Sequence, residues 1–421
     1  MKVLIITYYW PPAGGSGVQR WLKFVKYLQN FDIEPVVYTV DNANYPKEDF
    51  SLIYEIPKNI EVLKQSIREP TNLFFWKKKQ QQKKDISNST NSGFLSFIRG
   101  NFFIPDPKVF WVNSSVKFLH QYLKTNKVDV VISTGPPHSM HLIAQKLKQK
   151  NNVKWVADFR DPWTDLYYNK EFKQLSFVKK KNIKLESNVL KNADCVLTVS
   201  NSLKKEFGRI SNRVEVITNG FDDEVLSKET KNLDDKFTIS YIGLLPKQSN
   251  PKLLFKVLQK LSLENREFKN DLKLNFIGDI SNEVRLAIVA GNLQENTKLE
   301  GYVTHQKAIE YQKKAQVLLL LIPNVEKSEG ILTGKLFEYL TAKRPILAMG
   351  SETGDLSEIL KNTNSGIVIG FDNEEKLTSE IRALYQKYKA RNLVVNSKNI
   401  EQYHRKELTK NLAKIIKSLS K

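Results

Sequence analysis

Short apolar, β-branched runs alternate with longer helical patterns along nearly all of this 421-residue chain, and the pattern runs through twice. The first half carries such runs at 3–10, 34–40, 129–135, 153–159, 195–200 and 214–218. Amphipathic stretches at 17–30, 109–125, 139–150 and 173–191 lie between them. The second half has runs at 237–243, 272–278, 297–303, 317–323, 345–349 and 366–370, with helical patterns at 251–263, 304–315, 333–342 and 373–389. Strands joined by crossover helices form parallel sheets covered on both faces. The expected fold class is therefore α/β, with two Rossmann-like domains in tandem. The length agrees, being too great for one ordinary hydrophobic core.

Between Asn219-Gly220-Phe221-Asp222 and Phe237 the apolar period gives way to Lys, Asp, Glu and Asn. That places an N-terminal domain at 1–224, a polar linker at 225–236 and a C-terminal domain at 237–403. The Lys-rich helical pattern at 399–420 follows the last strand and has no sheet position left to fill. Its part 404–421 is expected to pack across the domains and return to the first. Residues 71–112 break the alternation with basic and aromatic clusters: Trp76, then Lys77, Lys78 and Lys79, Lys83 and Lys84, and several phenylalanines before Trp111. Such a segment is either a solvated loop whose aromatics fold back on the core, an interfacial anchor on anionic lipid, or a contact for nucleic acid.

Charge keeps those partners in view. The chain has 66 Lys and Arg against 45 Asp and Glu, a net +21, which suits nucleic acid, an anionic membrane surface or a phosphorylated substrate. The longest strongly apolar run, Val317 to Ile322, is far short of the roughly 20 residues of a spanning helix. The apolar N-terminus is short, aromatic and closed by Pro11 and Pro12, so it reads as a buried strand and not a secretory signal. A cytoplasmic location follows as the expectation. Cys195 is the only cysteine, which excludes an internal disulfide or a multi-thiolate metal site, and its surroundings read as core.

Four turns carry residues with chemical potential. Gly14-Gly15-Ser16-Gly17 joins the first strand to a helix, where backbone N–H groups can approach a phosphate or sugar. The spacing is not G-x-G-x-x-G, no acid ends the second strand (Asp41 is the nearest), and the G-K-[ST] ending of a Walker loop is missing. Thr134-Gly135-Pro136-Pro137-His138-Ser139 and Asp158-Phe159-Arg160-Asp161-Pro162-Trp163 both fall at carboxyl ends of strands, where open α/β sheets bind ligands. His138 could bond a sugar hydroxyl or cap the helix beginning near Ser139. Two carboxylates and a guanidinium at one strand end call for pairing, either with a ligand or as a structural Arg–Asp pair. In the second half, Ser328 to Leu340 opens a helix at Thr333 and Gly334. Lys335 there offers a point charge to a diphosphate, and Glu338 an acceptor for ribose hydroxyls.

In order and spacing these motifs resemble the GT-B glycosyltransferases, specifically the retaining glycosyltransferase family 4, over nearly the whole chain. The resemblance rests on the Gly14–Gly17 turn, on Val199-Ser200 and Ile217 to Asp222, and on Tyr241-Ile242-Gly243 and Phe276-Ile277-Gly278. Above all it rests on Lys335-Leu336-Phe337-Glu338-Tyr339-Leu340 with Arg344-Pro345-Ile346. It implies two domains facing a cleft, a nucleotide sugar held mainly by the C-terminal domain, and an acceptor held mainly by the N-terminal one. The implied donor residues are Gly14, Gly15, Ser16, Lys247, Glu329, Gly330, Thr333, Gly334, Lys335 and Glu338. Asp161 and His138 are the candidate catalytic side chains; Arg160 and the Trp76–Lys84 cluster are assigned to the acceptor and membrane. The implied mechanism is front-face attack with retention, in which the departing diphosphate takes the acceptor's proton. It needs no metal or cofactor. A UDP- or GDP-linked sugar would be the substrate, a lipid-linked glycan or polysaccharide the acceptor, and the inner face of the plasma membrane the place of work. Nucleic acid is not an expected partner.

The sequence departs from the family in four places. The first glutamate of its E-x7-E signature falls on Gly330, with Glu329 one position away. Its arginine after the second-domain glycine falls on Leu244, and its following lysine near Ser249, leaving Lys247 as the nearby cation. Its histidine after the fourth strand falls near Thr134. Two other readings share these residues: a basic membrane- or nucleic-acid-binding protein with a vestigial donor site, and a nucleotide-sugar 2-epimerase of the same architecture. The second needs several carboxylates or histidines in the cleft, and only His138 and His305 among five histidines look placed for that.

Overall fold

The computed structural model describes residues 1–67, 91–165, 174–223 and 232–420. The chain divides into two compact units, Met1–Thr218 with Leu408–Lys421, and Asn219–Glu407. Unit 1 is built on strands β1 (Lys2–Ile6), β2 (Glu34–Val40), β3 (Glu61–Gln65), β4 (Val130–Gly135), β5 (Lys154–Phe159), β6 (Cys195–Thr198) and β7 (Val214–Val216). They form one parallel sheet in the order β3-β2-β1-β4-β5-β6-β7. Helices α1 (Ser16–Leu28), α2 (Asn91–Phe102), α3 (Val109–Thr125), α4 (Ser139–Asn151), α5 (Ser176–Asn192) and α6 (Asn201–Phe207) belong to it. Unit 2 repeats the design with β8 (Phe237–Ile242), β9 (Leu272–Ile277), β10 (Thr297–Gly301), β11 (Val317–Leu321), β12 (Ile346–Met349) and β13 (Gly366–Ile369). Its parallel order is β10-β9-β8-β11-β12-β13. Its helices are α7 (Lys252–Glu264), α8 (Arg266–Asp271), α9 (Asn282–Ala290), α10 (His305–Lys314), α11 (Gly334–Thr341), α12 (Asp355–Thr363) and α13 (Glu374–Lys389). The α/β class with two parallel sheets is thus as the sequence period requires.

Central strands are apolar on both faces because helices cover both: every residue of β4, β8 and β11 is buried. Helix α1 shows the matching stripe, with Val18, Trp21, Leu22, Val25 and Leu28 all buried. The last helix, α14 (Arg405–Leu419), puts Leu408, Leu412, Ala413 and Ile416 into the same core cluster as Val3, Ile5 and Val25 of unit 1.

Some boundaries move for physical reasons. The run 3–10 is a strand only to Ile6; Tyr8 and Trp10 are apolar because they are buried beyond the sheet edge. The run 195–200 stops at Thr198 because Ser200 caps α6, its hydroxyl accepting from Leu203 N. Residues 219–223, expected with the first domain, pack with unit 2: Phe221 is buried in a core cluster with Phe337 and Tyr403. Of the expected linker, 225–231 lies outside the described residues, as do Trp76, Lys77, Lys78, Lys79, Lys83 and Lys84. Among the described residues no helix is long and apolar enough to cross a membrane. Cys195 is fully buried, and burial pushes its thiol up to about 12.

Both sheets reverse their strand order at the centre, between β1 and β4 and between β8 and β11. Such switch points open a crevice at the carboxyl ends of the strands.

Candidate functional site

At the switch point of unit 2, β8 runs into Gly243 and β9 into Gly278, with φ of +121° and +120°. These values lie in a region that side chains rarely adopt. Space is equally restrictive. A Cβ on Gly243 would stand 2.4 Å from Lys335 Cε, and one on Gly278 would stand 2.6 Å from the Gly243 carbonyl oxygen. The two glycines therefore let the turns nest and make room for the lysine of α11. Lys335 Nζ donates to Tyr241 Oη at 2.6 Å and lies 4.2 Å from the centre of the Tyr241 ring. Burial brings its ammonium down to about 8.

One turn along α11, Glu338 faces α10. Its Oε1 lies 3.2 Å from His305 Nε2, and Gln312 Nε2 donates to Oε2 at 3.1 Å. Burial alone would raise this carboxyl, but the His305 contact and the Gln312 amide outweigh it and hold it below its usual range. Thr333 precedes the helix in extended conformation, its hydroxyl buried with no partner among the described residues. Space beside Gly334 is open on the side where a Cβ would stand. A helix N-terminus with a lysine beside it and a fixed carboxylate beyond suits a phosphate next to a polyol. Glu329 and Gly330 lie on a single 3-10 turn, Ser328–Gly330. Glu329 is exposed, and its backbone rests against Gly354, where a Cβ would come within 2.7 Å of the Glu329 carbonyl oxygen. Lys247 is exposed on the turn after β8.

The switch point of unit 1 treats its charges differently. Gly15, with φ +99°, caps α1 and is open on its Cβ side, and Gly14 N donates to Lys47 O. The expected pairing at Asp158-Phe159-Arg160-Asp161 needs correction. Arg160 donates to three backbone carbonyls, of Gly17 at 2.9 Å, Gly135 at 3.1 Å and Pro136 at 2.6 Å. It therefore clamps the glycine turn to the loop after β4. Asp158 instead takes Arg20 of α1, with Nη2 at 3.0 Å and Nε at 3.3 Å, and it also accepts from Trp21 Nε1 and Thr134 Oγ1. Asp161 stays exposed.

His138 stands at the N-cap position of α4, but its ring makes no capping bond. Asp106 supplies it, accepting from Ser139 N at 2.9 Å and from the Ser139 hydroxyl at 2.8 Å. The His138 ring is buried and stacked on Trp163, with centroids 5.0 Å apart and planes at 8°. Burial and the positive charge of neighbouring groups hold it well below its usual range. Trp163 is fixed from α5, where Glu186 accepts from its backbone N and Asn182 from its Nε1. Among the described residues, Asp222, Asp223 and His404 form a group with ligand atoms within 4.8 Å of one another. Within this group Asp222 is buried, at 7% exposed, and Asp223 is exposed.

Residues 93–225 match the model of Glycosyltransferase Family 4, and residues 236–387 match the model of Glycosyl transferases group 1. Between them they cover well over half of the chain. The chain belongs to the group 1 glycosyltransferases. A comparison with curated proteins returns no match. Solved structures agree on the GT-B fold of this glycosyltransferase. A sucrose-phosphate synthase from Thermosynechococcus elongatus superposes with a TM-score of 0.67 at 12% identity, over 99% of this chain and 98% of that one. HepE from Anabaena, in complex with UDP-glucose, gives 0.64 at 12% identity, over 99% and 100%. A UDP-GlcNAc 2-epimerase from Methanocaldococcus jannaschii gives 0.54 at 14% identity, over 99% and 100%.

In this glycosyltransferase the structure brings Thr333, Gly334, Lys335 and Glu338 together at one sheet end, while Glu329 stays exposed on the preceding turn and Lys247 exposed on the turn after β8. Sequence reasoning missed Arg20, Tyr241, Gln312 and Asp106. Arg20 had a signal: it is a lone cation between the buried Val18, Trp21 and Leu22 of α1, and it is itself 4% exposed.

Proposed function

We propose that this glycosyltransferase moves a sugar from a nucleotide-sugar donor, UDP- or GDP-linked, to a lipid-linked or polysaccharide acceptor, retaining the anomeric configuration and without a metal. The observation that carries the reading is the Lys335–Glu338 pair on α11, with a half-exposed ammonium one turn from a carboxylate held by His305 and Gln312. In this reading Lys335 and the first turn of α11 neutralise the diphosphate as the glycosidic bond to it breaks, and Glu338 accepts from the ribose hydroxyls. The leaving diphosphate oxygen takes the proton of the acceptor hydroxyl, so no side-chain base is needed. Gly14, Gly15 and Ser16 offer a second set of backbone donors. Asp161, exposed beside the Arg160 guanidinium, would orient the acceptor, whereas His138 acts by holding Trp163. HepE, solved in complex with UDP-glucose, supports a nucleotide-sugar donor here. A role in lipopolysaccharide or capsule synthesis, at the cytoplasmic face of the membrane, suits the basic unit 1.

Of the two histidines that the epimerase reading could use, His305 lies 3.2 Å from Glu338 and His138 is buried. The rings of His138 and His141 are buried, and burial lowers His141 to about 3, so neither suits proton shuttling at neutral pH.

The test is thermal shift with UDP-, GDP- and ADP-sugars, followed by assay of nucleotide release in the presence of a lipid-linked acceptor. One nucleotide class should stabilise the wild type, and Lys335→Met and Glu338→Gln should each remove most of that shift. Absence of any shift with all three classes refutes the donor site and favours the binding-protein reading. Formation of a 2-epimer from the donor alone would favour the epimerase.

A further inference from the structure

Positive charge is shared unequally between the units. Unit 1 holds 38 Lys and Arg against 19 Asp and Glu, and unit 2 holds 28 against 26, so +19 of the net +21 belongs to unit 1. Helix α5 concentrates it. Its inner stripe, Val178, Asn182, Glu186 and Val189, is buried. Its outer stripe at helical spacing is Phe177, Lys180, Lys181, Lys184, Asn188 and Lys191, all exposed. No described residue makes a hydrogen bond or ion pair with the side chains of Lys180, Lys181 or Lys184. The one carboxylate of the helix, Glu186, points inward and is taken by Trp163 and Thr164.

A second segment adds apolar surface at the start of this stripe. Leu175 N donates to Asn101 Oδ1 at 2.7 Å and Gln174 Nε2 to Gly100 O at 3.2 Å, which ties the end of α2 to the entry of α5. Phe102, Leu175 and Phe177 are 72%, 44% and 64% exposed. Helix α13 of unit 2 is the internal control. It carries four cations to the five of α5, but Lys376 pairs with Glu352, Arg382 with Glu264 and Lys389 with Glu267. A helix made only for water can neutralise itself in this way; α5 does not, and it carries exposed rings besides.

We propose that the outer face of α5, with Phe102 and Leu175, docks unit 1 on an anionic lipid bilayer. The rings enter the headgroup boundary, and the lysines meet lipid phosphates. This deepens the membrane-acceptor reading above, on which its biological purpose rests, and it moves the contact to α5 from the Trp76–Lys84 cluster. The inner face of the same helix holds the Asp161-Pro162-Trp163 loop, so docking brings the carboxyl edge of the unit 1 sheet to the bilayer.

The test is co-sedimentation of the full chain with vesicles of phosphatidylcholine, alone or with about a quarter phosphatidylglycerol. Wild type should bind the anionic vesicles, weakly at high salt, and hardly bind phosphatidylcholine. The combined Lys180→Glu, Lys181→Glu, Lys184→Glu variant should lose at least about tenfold in partition coefficient, and the combined Phe102→Ser, Phe177→Ser variant about threefold. A Lys→Gln set at the same three positions keeps the test should charge reversal unfold the chain. Both variants should keep the melting temperature and the nucleotide-sugar shift. The proposal is overturned by wild-type binding of both variants, by loss only when Trp76 and Lys77–Lys79 are replaced, or by equal competition from duplex DNA. If vesicle binding depends on α5 while no nucleotide sugar binds, docking stands and the transferase reading falls.

Discussion

At the carboxyl edge of unit 2, Lys335 and Glu338 stay partly exposed, bonded to Tyr241 and to His305 and Gln312. At the same edge of unit 1, Arg20 and Asp158 neutralise each other at 2% and 0% side-chain exposure, and the third charge, Arg160, is used up on backbone carbonyls. Two sheets with the same switch-point topology thus spend their charges differently, unit 2 leaving an ammonium and a carboxylate partly exposed and unit 1 leaving Asp161 exposed beside a buried ion pair. Away from the sites the contrast reverses along two helices: α13 of unit 2 pairs Lys376, Arg382 and Lys389 with carboxylates, whereas Lys180, Lys181 and Lys184 of α5 in unit 1 have no partner among the described residues. The two units share a fold but not a distribution of charge.

The sharpest way to break this contrast is to remove one buried charge. Asp158→Ala leaves Arg20 uncompensated and should cost about 3–5 kcal/mol in urea unfolding. Glu338→Gln should change stability by no more than about 0.5 kcal/mol while abolishing most donor binding. Equal stability losses from the two would erase the distinction. Next in size is Gly243→Ala, which forces a Cβ into a positive φ and against Lys335. A loss of about 1–3 kcal/mol is expected, with weakened donor binding. Gly334→Ala has open space and should leave stability nearly unchanged.

Titration gives a smaller effect with a definite sign. Lys335 loses its proton near 8 in the folded chain, against 10.5 ordinarily. Between those values the unfolded chain holds the extra proton, so this group's contribution to stability rises with pH across that window. Donor affinity should run the other way, falling as pH passes about 8 and the ammonium is lost. Lys335→Met should flatten both trends, and a pH series of calorimetric titrations checks this. Smallest is Lys389→Ala on α13, where loss of an exposed, solvent-screened ion pair should leave the thermal unfolding midpoint nearly unchanged.

The alternation of periods made both sheets legible, because buried parallel strands must be apolar throughout. Strand β3, Glu-Val-Leu-Lys-Gln at the sheet edge, escaped because an edge strand is half exposed and carries no apolar run. The donor-side residues were legible because Thr333 to Glu338 lie within one turn and a half of helix, so spacing alone placed them together. Unit 1 was not: Arg20 and Asp158 are 138 positions apart, and nothing local to either names the other. The same holds for Asp106, which makes the capping bonds of α4 in place of the His138 ring, from a loop 33 positions upstream. Local periodicity reports burial, but long-range polar pairing is decided by topology.

The most direct measurement is hydrogen exchange of the full chain with and without the nucleotide sugar that stabilises it. The account predicts protection at 243–249 and 328–341 of unit 2, lost in Lys335→Met. Protection absent from both segments, despite demonstrable binding, would contradict it.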